Sequence, residues 1–106
     1  NRDWGMERLT EMAEAAREAD ANFGVVLLPS AHAFTEDGYL LEYLHAPVRE
    51  HLDSIGVRYV DPTERFRADA DRLYDHTDHF FDDGNVEMAR VMLRLVRGPQ
   101  PVSSQP

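Results

Sequence analysis

The chain has 106 residues, 42% of them apolar and 29% charged, with no cysteine and a formal charge of −9. That is room for one small globular domain, and it excludes a disulfide framework, a thiolate nucleophile and a cysteine zinc site. Acidic residues outnumber basic ones 20 to 11, so phosphate backbones are repelled and nucleic acid is not an expected partner. No apolar run approaches the roughly 20 residues of a membrane-spanning helix, so no membrane span is expected.

From Gly5 to about Asp20, Met6, Leu9, Met12, Ala13 and Ala16 recur at helical spacing against a charged opposite face, which predicts a surface helix. Phe23 to Leu28 is a continuous apolar run stopped by Pro29, the pattern of a strand covered on both faces of a parallel sheet. Its carboxyl end opens into Ser30-Ala31-His32-Ala33-Phe34. Asp37 then suits the cap of a second helix with a stripe of Leu40, Leu44, Val48, Leu52 and Ile55, a kink or fresh start at Pro47 and a stop at Gly56.

A short strand follows over 57–60. Asp61-Pro62-Thr63-Glu64 reads as cap, first-turn proline and acidic third position of a short helix running through Phe66 toward Ala70. The last helix is expected from about Asn85 to Arg97, burying Val86, Ala89, Leu93 and Val96 and turning Glu87, Arg90, Arg94 and Arg97 to solvent. Gly98-Pro99 ends it, and 98–106 is expected to be a disordered polar tail beyond a domain covering 1–97. This alternation predicts parallel β-α-β connections with helices on both faces of the sheet. Two strands do not make such a sheet alone, so the chain is expected to be the C-terminal part of a longer domain.

Between the short helix and the last one lies Leu73-Tyr74-Asp75-His76-Thr77-Asp78-His79-Phe80-Phe81-Asp82-Asp83-Gly84-Asn85. Segments that leave the carboxyl ends of parallel strands line the ligand crevice of such folds. His79-Phe80-Phe81-Asp82-Asp83-Gly84-Asn85, with Met88-Ala89 after it, resembles the block that closes the domain of SGNH (GDSL-like) hydrolases. There, an Asp-x-x-His is followed by an aromatic or aliphatic residue, a short linker, glycine, often His or Asn, and an alanine-containing helix. The order of upstream elements is similar too, and the resemblance spans about residues 4–97.

The resemblance implies a three-layer α/β/α parallel sheet of flavodoxin-like SGNH type, present here as its C-terminal portion. It also implies a serine ester hydrolase working through an acyl-enzyme on a small-molecule or carbohydrate ester, with no cofactor. By position His79 is the base, since a serine hydroxyl attacks only when hydrogen-bonded to a base of near-neutral pKa. The place three before His79 holds His76 rather than aspartate, so the orienting carboxylate is Asp78 or Asp75. Thr77-Asp78-His79-Phe80 approaches the Asp-x-His context of an acyltransferase-like branch, and acyl transfer to a sugar hydroxyl is the variant reaction.

The family's serine, glycine and asparagine blocks have no counterpart between Asn1 and Pro106. Ser30, in Leu-Pro-Ser-Ala-His, lacks the strand-to-helix elbow that exposes an attacking oxygen. The nucleophile is therefore expected from the N-terminal half of the same domain, and this chain alone is expected to be inactive.

Blander readings stand beside these. The His-Asp loop of a non-catalytic interaction module would do no more than cap a helix, with Asp82 and Asp83 as its cap and first-turn acids. His76 and His79 with Asp75, Asp78 and Asp82 are also competent ligands for a divalent metal. His32 either lines the substrate crevice or, as the blander expectation, is a partly exposed structural residue; His45 and His51 are expected to be surface or packing residues, and Trp4, Phe34, Tyr39 and Tyr43 to belong to the core or its rim.

Overall fold

The computed structural model describes residues 2–75 and 78–97; His76, Thr77 and the expected tail 98–106 lie outside the described residues. In chain order it holds α1 (Arg2–Glu18), β1 (Gly24–Val26), a 3-10 turn (Ala31–Ala33), β2 (Phe34–Thr35), β3 (Gly38–Tyr39), α2 (Glu42–Ser54), β4 (Arg58–Val60), α3 (Thr63–Ala68), α4 (Ala70–Leu73) and α5 (Asp82–Arg97). The chain is a small mixed α/β protein.

β1 and β4 pair in parallel, Gly24 with Arg58, Val25 with Tyr59 and Val26 with Val60. Period-2 alternation sends Val25 and Tyr59 to one face and Val26 and Val60 to the other. The first face packs with Ala13 of α1, Leu52 of α2, Leu27 and Val57. The second packs with Phe66, Leu73, Tyr74 and, from α5, Met88, Val91 and Leu95. Helices therefore cover both faces of a two-stranded parallel sheet. Leu27 N–H donates to Val60 O, so in a parallel ladder Gly24 and Val26 turn their N–H and C=O groups away from β4. Among the described residues no strand pairs with that edge.

Both long connections into strands use the same stop. Asp20 (φ 55) and Gly56 (φ 70) adopt the left-handed conformation after α1 and α2. Ala21 N–H then bonds Ala16 O at 2.8 Å, and Val57 N–H bonds Leu52 O at 2.9 Å. These are Schellman closures that satisfy late helix carbonyls.

Several expectations need correction. Asp37 does not cap α2. It lies in the turn of a short antiparallel hairpin, Phe34 opposite Tyr39 and Thr35 opposite Gly38, where Gly38 supplies a φ of 139°. α2 starts at Glu42 without a side-chain cap, and Pro47 sits inside it with no break in the helix. Leu40 and Leu44 are exposed, so only Val48, Leu52 and Ile55 of the expected stripe reach the core. Met12, Trp4 and Tyr43 are likewise exposed, Trp4 serving as a platform for the Arg8 guanidinium.

The largest correction concerns α5, which begins at Asp82, three residues earlier than expected, and buries the other face. Gly84, Glu87, Met88, Val91 and Leu95 are buried, whereas Val86, Leu93 and Val96 are exposed. Both sets obey helical spacing, so periodicity alone did not choose between them. Two contacts decide it. A Cβ at Gly84 would stand 2.2 Å from Leu73 O, so only glycine lets the helix start lie against α4. Glu87 is buried with its charge met by Arg65 at 3.1 Å and Arg90 at 3.2 Å.

Candidate functional site

β1 delivers the chain to Pro29 and Ser30, and four side-chain hydrogen bonds pin this exit. Tyr74 Oη donates to Pro29 O (2.9 Å), and Ser30 N–H donates to Tyr39 Oη (2.8 Å). The Asp78 carboxylate accepts from both Ser30 Oγ (2.9 Å) and Ala31 N–H (2.7 Å). Burial pushes both phenols, Tyr39 and Tyr74, above the ordinary tyrosine range, so they remain protonated donors.

Asp78 and His79 belong to a second hairpin. Tyr74 and Phe80 form an antiparallel bridge, with Phe81 N–H bonded to Leu73 O and Asp75 N–H to His79 O, each at 2.9 Å. The Tyr74 and Phe80 rings meet at 5.0 Å and both pack on Phe66 in the core. Alternation then places Asp75 and His79 together on the opposite face of the hairpin. Directly opposed residues of this kind have Cβ atoms about 5 Å apart, within reach of a carboxylate and an imidazole. His79 is exposed and Asp75 half-buried. Beside them a depression of about 440 Å³ is lined by His32, Asp71, Asp75 and Phe81.

The structure thus gathers three of the sequence-derived residues at the carboxyl end of β1, with different partners. Asp78 is committed through both oxygens to residues 30 and 31, while Asp75 stands across the hairpin from His79. Ser30 donates its hydroxyl to Asp78. Of the alternative metal set, His76 lies outside the described residues and Asp82 is an exposed first-turn acid of α5. Its neighbour Asp83 pairs with Arg72 at 3.1 Å.

A second cluster escaped the sequence reading. His45, expected as a surface or packing residue, is buried, with Nδ1 3.0 Å from Asp61 Oδ2. Arg49 Nη1 donates to the same oxygen at 2.6 Å, and its Nη2 pairs closely with Glu42. Thr63 donates to Asp61 Oδ1 through its hydroxyl and, at 3.3 Å, its N–H. The Tyr39 ring lies edge-on to His45, centroids 5.0 Å apart. Burial alone pushes the Asp61 carboxyl up, but the bonds from His45, Thr63 and Arg49 outweigh it and hold it at about 2. The visible signal was the i, i+3, i+7 spacing of Glu42, His45 and Arg49 on one helix face, opposite an aspartate ending a strand. His51 is tied instead to Thr10 Oγ1, 2.8 Å from Nε2.

Glu42, His45 and Asp61 present ligand atoms within 4.8 Å of one another, a donor set chemically suited to a divalent cation. The Arg49 guanidinium already lies between the two carboxylates and supplies the positive charge there. The cluster is therefore a saturated charge network that ties α2 to the end of β4. Comparisons with known proteins find no family model, no curated protein and no solved structure that matches this chain.

Proposed function

We propose that this chain is the C-terminal portion of a three-layer α/β/α domain of SGNH type, and that the parent protein is a serine ester hydrolase in which His79 is the general base. One observation carries the proposal. The hairpin that bears His79 opposite Asp75 is fastened by Asp78 to the carboxyl-end exit of β1, the side of a parallel sheet on which ligands bind. The edge of β1 that no strand pairs with among the described residues leaves room for the further strands that this reading requires.

In this reading Asp75 orients the His79 imidazole and supports its charged form, while Asp78 is a positioning residue that holds the loop. The serine comes from a segment preceding Asn1, and ester or O-acetyl cleavage proceeds through an acyl-enzyme. Acyl transfer to a sugar hydroxyl uses the same groups with a different acceptor. In the protein that carries this chain, His79→Ala should lower turnover of small p-nitrophenyl esters by about 10³-fold or more, and Asp75→Asn by about 10²-fold or more. Labelling with a fluorophosphonate should mark a serine outside these residues. Retention of most of the turnover in His79→Ala would refute the assignment.

A non-catalytic interaction module is the second reading, favoured by the full commitment of Asp78 to Ser30 and Ala31. It predicts no fluorophosphonate labelling and no ester turnover in the parent protein.

A further inference from the structure

At the end of the sheet opposite the His79 hairpin, β1 and β4 begin with the paired residues Gly24 and Arg58. Arg58 shares the α5 face with Val60 by alternation. A Cβ at its neighbour Gly24 would stand 3.0 Å from Leu95 Cδ2, so Leu95 would have to give by a few tenths of an ångström. A depression of about 470 Å³ opens at this point, lined by Phe23, Ile55 and Val96 together with Arg17 and Arg58. That volume is in the range of small-molecule sites.

Arg58 carries two buried donors with no partner among the described residues, where Arg8, otherwise paired with Glu11, has one at Nε. Arg8, Arg49, Arg65, Arg67, Arg72 and Arg90 each hold a carboxylate. The two donors of Arg58 are Nε and Nη2. Unpaired buried donors are a free-energy penalty that a suitable acceptor relieves. Nε–H and Nη2–H are also the parallel pair of donors that matches a carboxylate in bidentate fashion.

We propose that this depression binds a small organic anion, a carboxylate carrying an apolar body of several carbons. The Arg58 guanidinium turns from its dry position to grip the carboxylate through Nε and Nη2. Arg17 adds charge at the rim, and the body lies on Phe23, Ile55 and Val96. The site is at the far end of the strands from the hairpin and does not depend on the ester-hydrolase reading.

The test is titration of the protein that carries this chain with sodium octanoate by calorimetry, with n-octanol (body without charge) and acetate (charge without body) as comparisons. Octanoate should bind saturably, one per chain, and at least about tenfold more tightly than either comparison. Arg58→Met should cut octanoate affinity about tenfold or more without lowering the thermal midpoint, because it removes an unpaired buried charge. Arg17→Gln should cut it about threefold, and it decides alone if Arg58→Met does not fold. Absence of saturable octanoate binding, equal binding of octanol and octanoate, or unchanged affinity in the folded variants would overturn the proposal.

Discussion

Replacing Asp61 by asparagine should remove a pH-dependent contribution whose size follows from its surroundings. Asp61 is 4% exposed and accepts hydrogen bonds from His45, Arg49 and Thr63. Burial raises its carboxyl pKa, the three partners more than reverse this, and the group sits at about 2 instead of the ordinary 3.8. A pH unit of such displacement is worth about 1.4 kcal/mol, so ionised Asp61 contributes roughly 2.5 kcal/mol to folding at neutral pH. The folded carboxyl is the stronger acid. Its contribution is therefore complete above the unfolded value near 4 and is lost as the pH falls through the folded value near 2.

Asp61→Asn keeps the shape and abolishes this titration. Urea unfolding of both proteins between pH 6 and pH 2 gives their stability difference, in which the other carboxyls cancel. The difference should shrink by about 2 kcal/mol on going from pH 5 to pH 2, where the folded carboxyl is half protonated. A difference constant to within about 0.5 kcal/mol would show that the network does not hold Asp61 ionised.

Gly84→Ala should destabilise the chain by about 3 kcal/mol in the same assay, since its Cβ would stand 2.2 Å from Leu73 O and 2.8 Å from Phe80 Cβ. A neutral result would contradict the close approach of α5 to α4. Asp78→Ala removes both acceptors of the β1 exit, and should cost about 1 kcal/mol while speeding hydrogen exchange at Ala31. Unchanged exchange there would mean that the loop is not fastened by this carboxylate. Leu95→Ala should cost about 2–4 kcal/mol and Leu93→Ala less than about 1, because Leu95 is buried and Leu93 is 46% exposed. Equal losses would return the buried face of α5 to the other stripe.

The alternation of helices and strands was legible because the segments at 23–28 and 57–60 were short, rich in β-formers and bounded by Pro29, Gly56 and Pro62. The Gly56 stop was legible for the same local reason. What stayed hidden depends on tertiary contacts. α5 carries apolar residues on two faces, and only the closeness of Leu73 O to Gly84 and the arginines around Glu87 select one of them. The Phe34–Tyr39 hairpin takes its turn from Gly38 at a position where Asp37 also resembled a helix cap. The partners of Asp78 are 47 and 48 residues away in sequence, and those of Asp61 include His45 and Arg49 across a loop. The family resemblance therefore suggested Asp78 or Asp75 as the partner of His79, and the spacing along the chain suggested nothing for His45.

The Tyr74–Phe80 hairpin has one greasy face and one ionisable face, and its ladder is only a few residues long. In such a ribbon a slip of one residue exchanges the faces, putting a carboxylate and an imidazole into the core and two rings into water. Burial of Tyr74, half-burial of Phe80 and their stacking on Phe66 oppose that slip far more strongly than two backbone bonds do. The place of His79 in this hairpin is thus set by the packing of two rings on Phe66. Removing either ring, as in Tyr74→Ala or Phe80→Ala, should therefore loosen the register that sets Asp75 opposite His79.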